Sequence, residues 1–309
     1  MIEVQRLTKT YGSERAVDDI SFEVKKGEVL GFLGPNGAGK TTTMKVVTCY
    51  LPPSAGTVKV DGMDVRNDSM EIRRKIGYLP EHTPLYQDMT TFDYLSFVAE
   101  MRGVASRNVS GAIAKMASIC GLGSVLNKRI EALSKGYRQR VGLAQAMIHD
   151  PEIVILDEPT SGLDPNQIVE IRELIKGIGT EKTVILSTHI LPEVQASCDR
   201  VLIIHRGQLV ADGTPDDLKA SFAGAQQLKF GVKNATPDVT DTLKSWGKVS
   251  VAGQELLDGS ETLFTLTSEE KVDLRPELYN LAVQHKWVLT ELHRDQANLE
   301  DVFRQLTSN

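Results

Sequence analysis

Gly34-Pro35-Asn36-Gly37-Ala38-Gly39-Lys40-Thr41-Thr42 has the residue types and spacing to wrap a chain of phosphates, Gly-x-x-x-x-Gly-Lys-Thr. Gly34, Gly37 and Gly39 let the backbone curl so that successive N–H groups point inward at an anion. A helix start behind them adds unpaired N–H groups and the positive end of its dipole. In such a loop Lys40 reaches the outer phosphates, and the Thr41 hydroxyl ligates the magnesium ion that travels with a nucleotide. An accidental match in a chain of this length is roughly a one-in-a-hundred event at average Gly, Lys and Ser/Thr frequencies.

Other residues have chemistry that complements this loop. Asp157 and Glu158 close the apolar run Ile153-Val-Ile-Leu156. Two carboxylates at the carboxyl end of a buried strand face the crevice of a doubly wound sheet, where one can hold a magnesium shell and the other polarise a water. Taken alone, the same pair reads as an acidic strand end in solvent. Ser134 and Gly136 precede the run Val141 to Ile148 and read either as an ordinary helix cap or as a second anion site at a helix start. His189 follows the strand-like Thr183 to Thr188, and reads as a structural histidine or as a contact to a terminal phosphate. Tyr11, beside Gly12, reads as a turn or core tyrosine or as an exposed ring able to stack on adenine.

The elements that must carry these residues are legible in outline. Residues 2–33 alternate like three strands of one small sheet: Ile2 to Leu7, Ala16 to Val24, and the run into the phosphate loop. A helix is expected to begin at Met44, and residues 56–65 read as a hairpin with an Asp61-Gly62 turn. Ile76 to Glu81 is a short strand ending at Pro80, with Glu81 at its tip. Thr91 to Arg102 and Val109 to Cys120 carry helical spacing, so residues 82–150 read as a helical insert. Asp164-Pro165 caps a helix burying Ile168, Ile171, Leu174, Ile175 and Ile178, and Val201 to Ile204 with Gln208 to Ala211 forms a hairpin.

Composition narrows the setting. The 309 residues are 41% hydrophobic and 25% charged, ordinary globular material with room for two domains. A net charge of -6 argues against a nucleic-acid surface. Cys49, Cys120 and Cys198 are odd in number and far apart, as expected of reduced thiols in a cytosolic protein. The start, Met1 to Arg6, lacks a signal-peptide pattern, and no apolar run approaches the roughly 18 residues needed to span a bilayer. Service to a membrane would run through a partner.

The phosphate loop, Leu133-Ser-Lys-Gly136, Ile153 to Glu158, Ser161-Gly-Leu-Asp164 and His189 occur in the order of an ABC-type ATPase cassette, which residues 1–220 resemble. The resemblance implies an α/β P-loop NTPase fold: a RecA-like core, an antiparallel β subdomain and the helical insert. It implies ATP and Mg2+ as ligands, Tyr11 as the adenine-stacking aromatic, Asp157 in the magnesium shell, Glu158 as general base and His189 as the switch histidine. Asp164 would lie in the inter-subunit loop. Two positions depart from the family pattern. Leu-Ser-Lys-Gly-Tyr replaces the usual Leu-Ser-Gly-Gly-Gln but keeps Ser134 and Gly136, and Glu81 stands where most cassettes have Gln. A carboxylate at position 81 still reaches magnesium or the water, at the cost of added negative charge. These variants resemble the ATPase subunits of type-2 bacterial exporters, in the gliding-motility-associated and multidrug-type branches.

With one copy of each motif, the resemblance implies a head-to-tail dimer of two copies of this chain, joined to an integral membrane permease on the cytoplasmic face of the bacterial inner membrane. Residues 222–309 read as strand, helix, two strands, helix, strand, then a last helix, the order of a small ferredoxin-like α+β domain that packs or supports a dimer. Asp241, Glu269 and Glu270 there read as solvated charge. The leading expectation is an ATP-hydrolysing subunit of an exporter with no nucleic-acid partner. A soluble ABC ATPase acting on nucleic acid or the ribosome is the alternative, and a non-hydrolysing regulatory cassette is a third.

Overall fold

The computed structural model describes residues 1–222, 226–235, 237–257, 261–268, 272–295 and 299–307. The chain enters through two long strands, β1 (Ile2–Tyr11) and β2 (Glu14–Val24), paired antiparallel from Ile2 opposite Val24 to Tyr11 opposite Glu14. Their alternation buries Ile2, Val4, Leu7, Ile20, Phe22 and Val24 on one face. All five residues of β3 (Val29–Leu33) are buried. Such a run has no solvent side, and β3 leaves the small sheet in which the sequence pattern placed it for a larger sheet covered on both faces.

Helix α1 (Lys40–Val47) starts at Lys40, four residues before the expected Met44. Thr41, Thr42 and Thr43 are weak helix formers, but the left-handed Gly39 turns the chain into the helix, and the Thr43 hydroxyl bonds back to the Gly39 carbonyl at 2.9 Å. Strands β4 (Ala55–Val60) and β5 (Met63–Asp64) complete a sheet of order β2-β1-β4-β5, their turn carried by positive φ at both Asp61 and Gly62. Helix α2 (Ser69–Lys75), which the sequence reading did not include, leads into β6 (Ile76–Leu79).

The helical insert contains α3 (Thr91–Met101), α4 (Ser106–Ile119) and α5 (Lys135–Met147). Thr90 and Ser134 cap α3 and α5 by accepting from Asp93 N and Tyr137 N. Next come β7 (Ile153–Asp157), α6 (Pro165–Gly179), β8 (Thr183–Thr188), α7 (Leu191–Ser197), β9 (Arg200–His205), β10 (Gln208–Gly213) and α8 (Pro215–Phe222). The large sheet has the order β10-β9-β3-β8-β7-β6, parallel except for β10 at its edge. Its strands alternate between two cores. Val154, Leu156, Val184 and Leu186 join the insert on one face, and Ile153, Ile155, Ile185, Leu30 and Phe32 join α1 and the antiparallel sheet on the other.

The chain divides into two units, Met1–Pro215 with Phe303–Asn309, and Asp216–Val302. The second holds β11 (Gln226–Lys233), α9 (Pro237–Trp246), β12 (Ser250–Leu257), β13 (Glu261–Ser268), α10 (Arg275–Gln284) and β14 (Val288–Asp295), followed by α11 (Leu299–Thr307) across the division. Its strands lie in the order β12-β13-β11-β14, antiparallel throughout, which is the ferredoxin-like arrangement. Phe230, Phe264, Leu243 and Leu278 fill its core. Asp241 is exposed; Glu269 and Glu270 lie outside the described residues. Among the described residues no helix is long and apolar enough to cross a membrane.

A candidate nucleotide-binding site

Sheet order brings together what the chain keeps apart. Strands β3, β8 and β7 are neighbours, and at their carboxyl ends stand the loop 34–39, His189, and Asp157 with Glu158. Backbone bonds carry the sheet past its last residues: Gly34 N donates to Thr188 O at 3.3 Å, and Glu158 N to Ser187 O at 2.9 Å.

Two of the loop glycines are required by what surrounds them. A Cβ on Gly34 would sit 2.4 Å from the Ile204 carbonyl oxygen. One on Gly39, at φ +107°, would sit 2.5 Å from the Ala16 carbonyl oxygen. Strands β2 and β9 thereby press the loop into shape from behind. Gly37, at φ +79°, faces open space. Pro35 and Asn36 are on the outer side, while Ala38 is buried and its carbonyl accepts from Gly207 N at 3.0 Å. Thr41 and Thr42 form the first turn of α1, where backbone N–H groups have no intrahelical partner.

Lys40 curls back over this loop. Its ammonium donates to the carbonyls of Gly34 at 2.7 Å and Pro35 at 3.2 Å. It also lies 3.2 Å from Glu158 Oε1, a contact of opposite charges without hydrogen-bond alignment on that oxygen. The other Glu158 oxygen is 2.8 Å from His189 Nδ1. His189, expected as a structural histidine or a contact to a terminal phosphate, has its ring on the carboxylate that stands beside the loop. Glu158 itself holds φ at 50°, a left-handed conformation that costs a non-glycine residue on the order of 1–3 kcal/mol. That turn swings the Glu158 side chain out of the strand path and toward the loop.

Asp157 is fully buried, and neither its carboxylate oxygens nor the Ser187 hydroxyl beside it makes a well-aligned hydrogen bond. Burial pushes its pKa above the usual carboxylate range, and the nearby Ser187 and Thr41 hydroxyls offset only part of this. Unfilled hard oxygen donors next to a phosphate loop fit a small divalent cation, which characteristically takes one or two carboxylates and completes its shell with phosphates and water. Among the described residues no three His, Cys, Asp or Glu gather into a metal cluster.

Glu81 is exposed and near enough to Asp157 to raise its pKa further. It lines a cavity of about 250 Å³ together with His82, Lys135, Arg138, Gln139 and Ser161, none of them from the phosphate loop. Ser134 is exposed, and Gly136 is buried against Gln167 of α6. Among the described residues neither makes a hydrogen bond to residues 34–42. Tyr11 is 47% exposed, with the Lys9 ammonium 5.6 Å from its ring centroid, which removes the core-tyrosine alternative. The three cysteines are free; Cys120 is buried and Cys49 and Cys198 are half-buried.

Sequence reasoning missed Glu193. This buried carboxylate accepts from the Thr188 hydroxyl at 2.8 Å and from the Thr160 hydroxyl, tying the end of β8 to the loop after β7. Thr188 in turn accepts from Ile190 N at 3.0 Å, which bounds the His189 segment. In the sequence Glu193 reads as ordinary helix-end charge in the first turn of α7.

A family model described as ABC transporter matches residues 17–161, and one described as AAA domain, putative AbiEii toxin, type IV TA system matches residues 129–194. The linearmycin resistance ATP-binding protein LnrL of Bacillus subtilis (strain 168) is 32% identical over 309 residues, covering 99% of this chain and 98% of that protein. The chain belongs to the ABC transporter ATP-binding protein family. The probable multidrug ABC transporter ATP-binding protein YbhF of Escherichia coli (strain K12) is 39% identical over 237 residues, 74% of this chain. The match spans only 39% of that relative's length. Among solved structures, the dimeric MJ0796, described as a bacterial ABC transporter cassette, has TM-score 0.64 and 25% identity, covering 69% of this ABC chain and 98% of that one.

Proposed function

We propose that this ABC protein is the ATP-binding and ATP-hydrolysing subunit of an exporter, working through a separate transmembrane permease. The observation that carries the proposal is the convergence of the phosphate loop, Asp157, Glu158 and His189 at the ends of three adjacent strands. Relatives named for multidrug transport and linearmycin resistance support the exporter class.

In this reading the loop N–H groups and the start of α1 bind the β- and γ-phosphates, and Lys40 exchanges the Gly34 and Pro35 carbonyls for phosphate oxygens. Tyr11 stacks on the adenine. Thr41 and Asp157 hold Mg2+, with Glu81 reaching the same shell; bound there, Mg2+ neutralises the phosphates and polarises the bond to be broken. Glu158, released from Lys40, orients and deprotonates the attacking water, and His189 keeps the carboxylate aimed. Ser134 and Gly136 complete the site of a second copy of the chain across a head-to-tail dimer, since within one chain they stand apart from the loop. The cassette then rests on the cytoplasmic face of the membrane, held by the permease. The expected boundaries, residues 1–220 for the cassette and 222–309 for the accessory unit, belong to the same proposal.

The test is to tag Glu158→Gln in its native cell, solubilise with mild detergent and identify what co-purifies. A multi-spanning membrane protein in comparable amount is the expected result. Ribosomes or nucleic acid, with the tagged chain absent from membranes, would overturn the exporter reading.

A further inference from the structure

Four buried polar atoms without a well-aligned hydrogen bond gather beside one another on one face of the large sheet: Tyr78 Oη, both carboxylate oxygens of Asp157, and Ser187 Oγ. Strand register explains the grouping. Tyr78 pairs with Ile155, which places it diagonally beside Asp157 two residues on, and Asp157 pairs directly with Ser187. Three adjacent strands, β6, β7 and β8, thus point one polar side chain each to the same side. It is the side on which α1 packs, because Tyr78, Ile155 and Ile185 share a core with Met44, Val46 and Val47. The Thr41 hydroxyl reaches Asp157 from that helix.

Buried polar atoms in folded proteins nearly all make well-aligned hydrogen bonds, so a carboxylate and two hydroxyls that crowd together without one leave room for a further polar partner between them. A hydrophobic replacement would fill the same space without the desolvation cost. The Tyr78 hydroxyl is a donor beside the Asp157 carboxylate, and the Ser187 hydroxyl is a second one on the neighbouring strand. Mg2+ keeps several of its waters when bound to protein, and those waters need acceptors and donors around them.

We infer that Tyr78 and Ser187 are positioning residues for the cation: their hydroxyls hold its water ligands and orient the Asp157 carboxylate. Nucleotide and cation arrive together, and the four atoms gain well-aligned partners only then. Tyr78 acts from β6, the strand that also leads to Glu81, so that strand contributes to the metal shell before Glu81 is reached. The inference rests on the nucleotide-and-cation reading above.

The full chain carrying Glu158→Gln, which keeps ATP intact, provides the background for the test. ATP dissociation constants are measured by calorimetry with Mg2+ and again with EDTA, and their ratio reports the coupling between metal and nucleotide. Tyr78→Phe and Ser187→Ala each remove one oxygen and are expected to lower that ratio about tenfold, with metal-free ATP affinity changed less than about twofold. Ser187→Thr, which keeps the hydroxyl, is expected to restore it. An unchanged ratio in both oxygen-deleting variants would overturn the inference while leaving the nucleotide reading intact. So would a loss of metal-free ATP affinity equal to the loss with Mg2+. Failure of the Glu158→Gln background to bind ATP at all would overturn the underlying reading and this inference with it.

Discussion

The Lys40 ammonium lies 3.2 Å from Glu158 Oε1, and each side chain is only 6% exposed. Each therefore neutralises a charge that would otherwise be stranded in a dry site. Lys40→Met should destabilise the nucleotide-free protein by about 1–3 kcal/mol, because it leaves Glu158 buried with His189 as its one remaining side-chain partner. The double variant Lys40→Met/Glu158→Gln should recover most of that loss. Urea denaturation of both proteins without nucleotide checks this, and additive losses would show that the two groups do not compensate one another.

Glu158 is aimed at the loop by its left-handed backbone and by His189. Glu158→Gln should retain ATP binding, accumulate a nucleotide-bound dimer and turn over about 10²–10⁴-fold more slowly. Phosphate release and light scattering on the same sample read both effects. Turnover near that of the parent would remove Glu158 from the base role.

Ser134 is exposed and, among the described residues, unconnected to the loop of its own chain. In a head-to-tail dimer, mixing Glu158→Gln chains with Ser134→Arg chains gives mixed dimers with one intact composite site. ATPase activity should return to roughly a quarter of the parent level, with half of the dimers mixed and one of two sites working in each. No gain on mixing would place Ser134 outside a shared site.

Glu193 ties Thr160 to Thr188 in the interior. Glu193→Ala would strand two buried hydroxyls at a cost of about 2–4 kcal/mol, and should slow turnover more than it weakens ATP binding, because the His189 and Glu158 segments lose their common brace. Thermal melting and separate kcat and KM values test the two halves of the prediction.

His149 supplies a pH dependence of folding. Burial, then the Arg102 charge, lower its pKa to about 4, against which the Ile76 carbonyl contact pulls upward. An unfolded chain binds this proton near pH 6.5, whereas the folded chain resists it until about pH 4. The unfolded state therefore holds more protons in that window, and stability is lost as pH falls through it. Denaturation midpoints compared from pH 7 to 4.5 should fall more steeply on acidification for the parent than for His149→Gln, which lacks this titration.

The sequence by itself determined whatever depends on neighbours along the chain. Residues 34–42 are a phosphate loop because spacing and glycine content alone prescribe the backbone curl. Strands β7 and β8 are legible as short apolar runs, Asp164-Pro165 as a helix start, and the C-terminal order of elements as ferredoxin-like. The tertiary structure decided everything that depends on which strand lies beside which. Val29–Leu33 reads locally as a short apolar strand, and only the strand order shows that it lies between β9 and β8 in the larger sheet rather than beside β1 and β2. Lys40 and Glu158 are 118 positions apart by their numbers, and no local period announces that they meet. Glu193 looks like surface charge, and Tyr78 like one more strand aromatic. Their roles arise from nonlocal burial, because a polar atom's surroundings are set by the packing of distant segments against it, and periodicity records only which face of its own element it occupies.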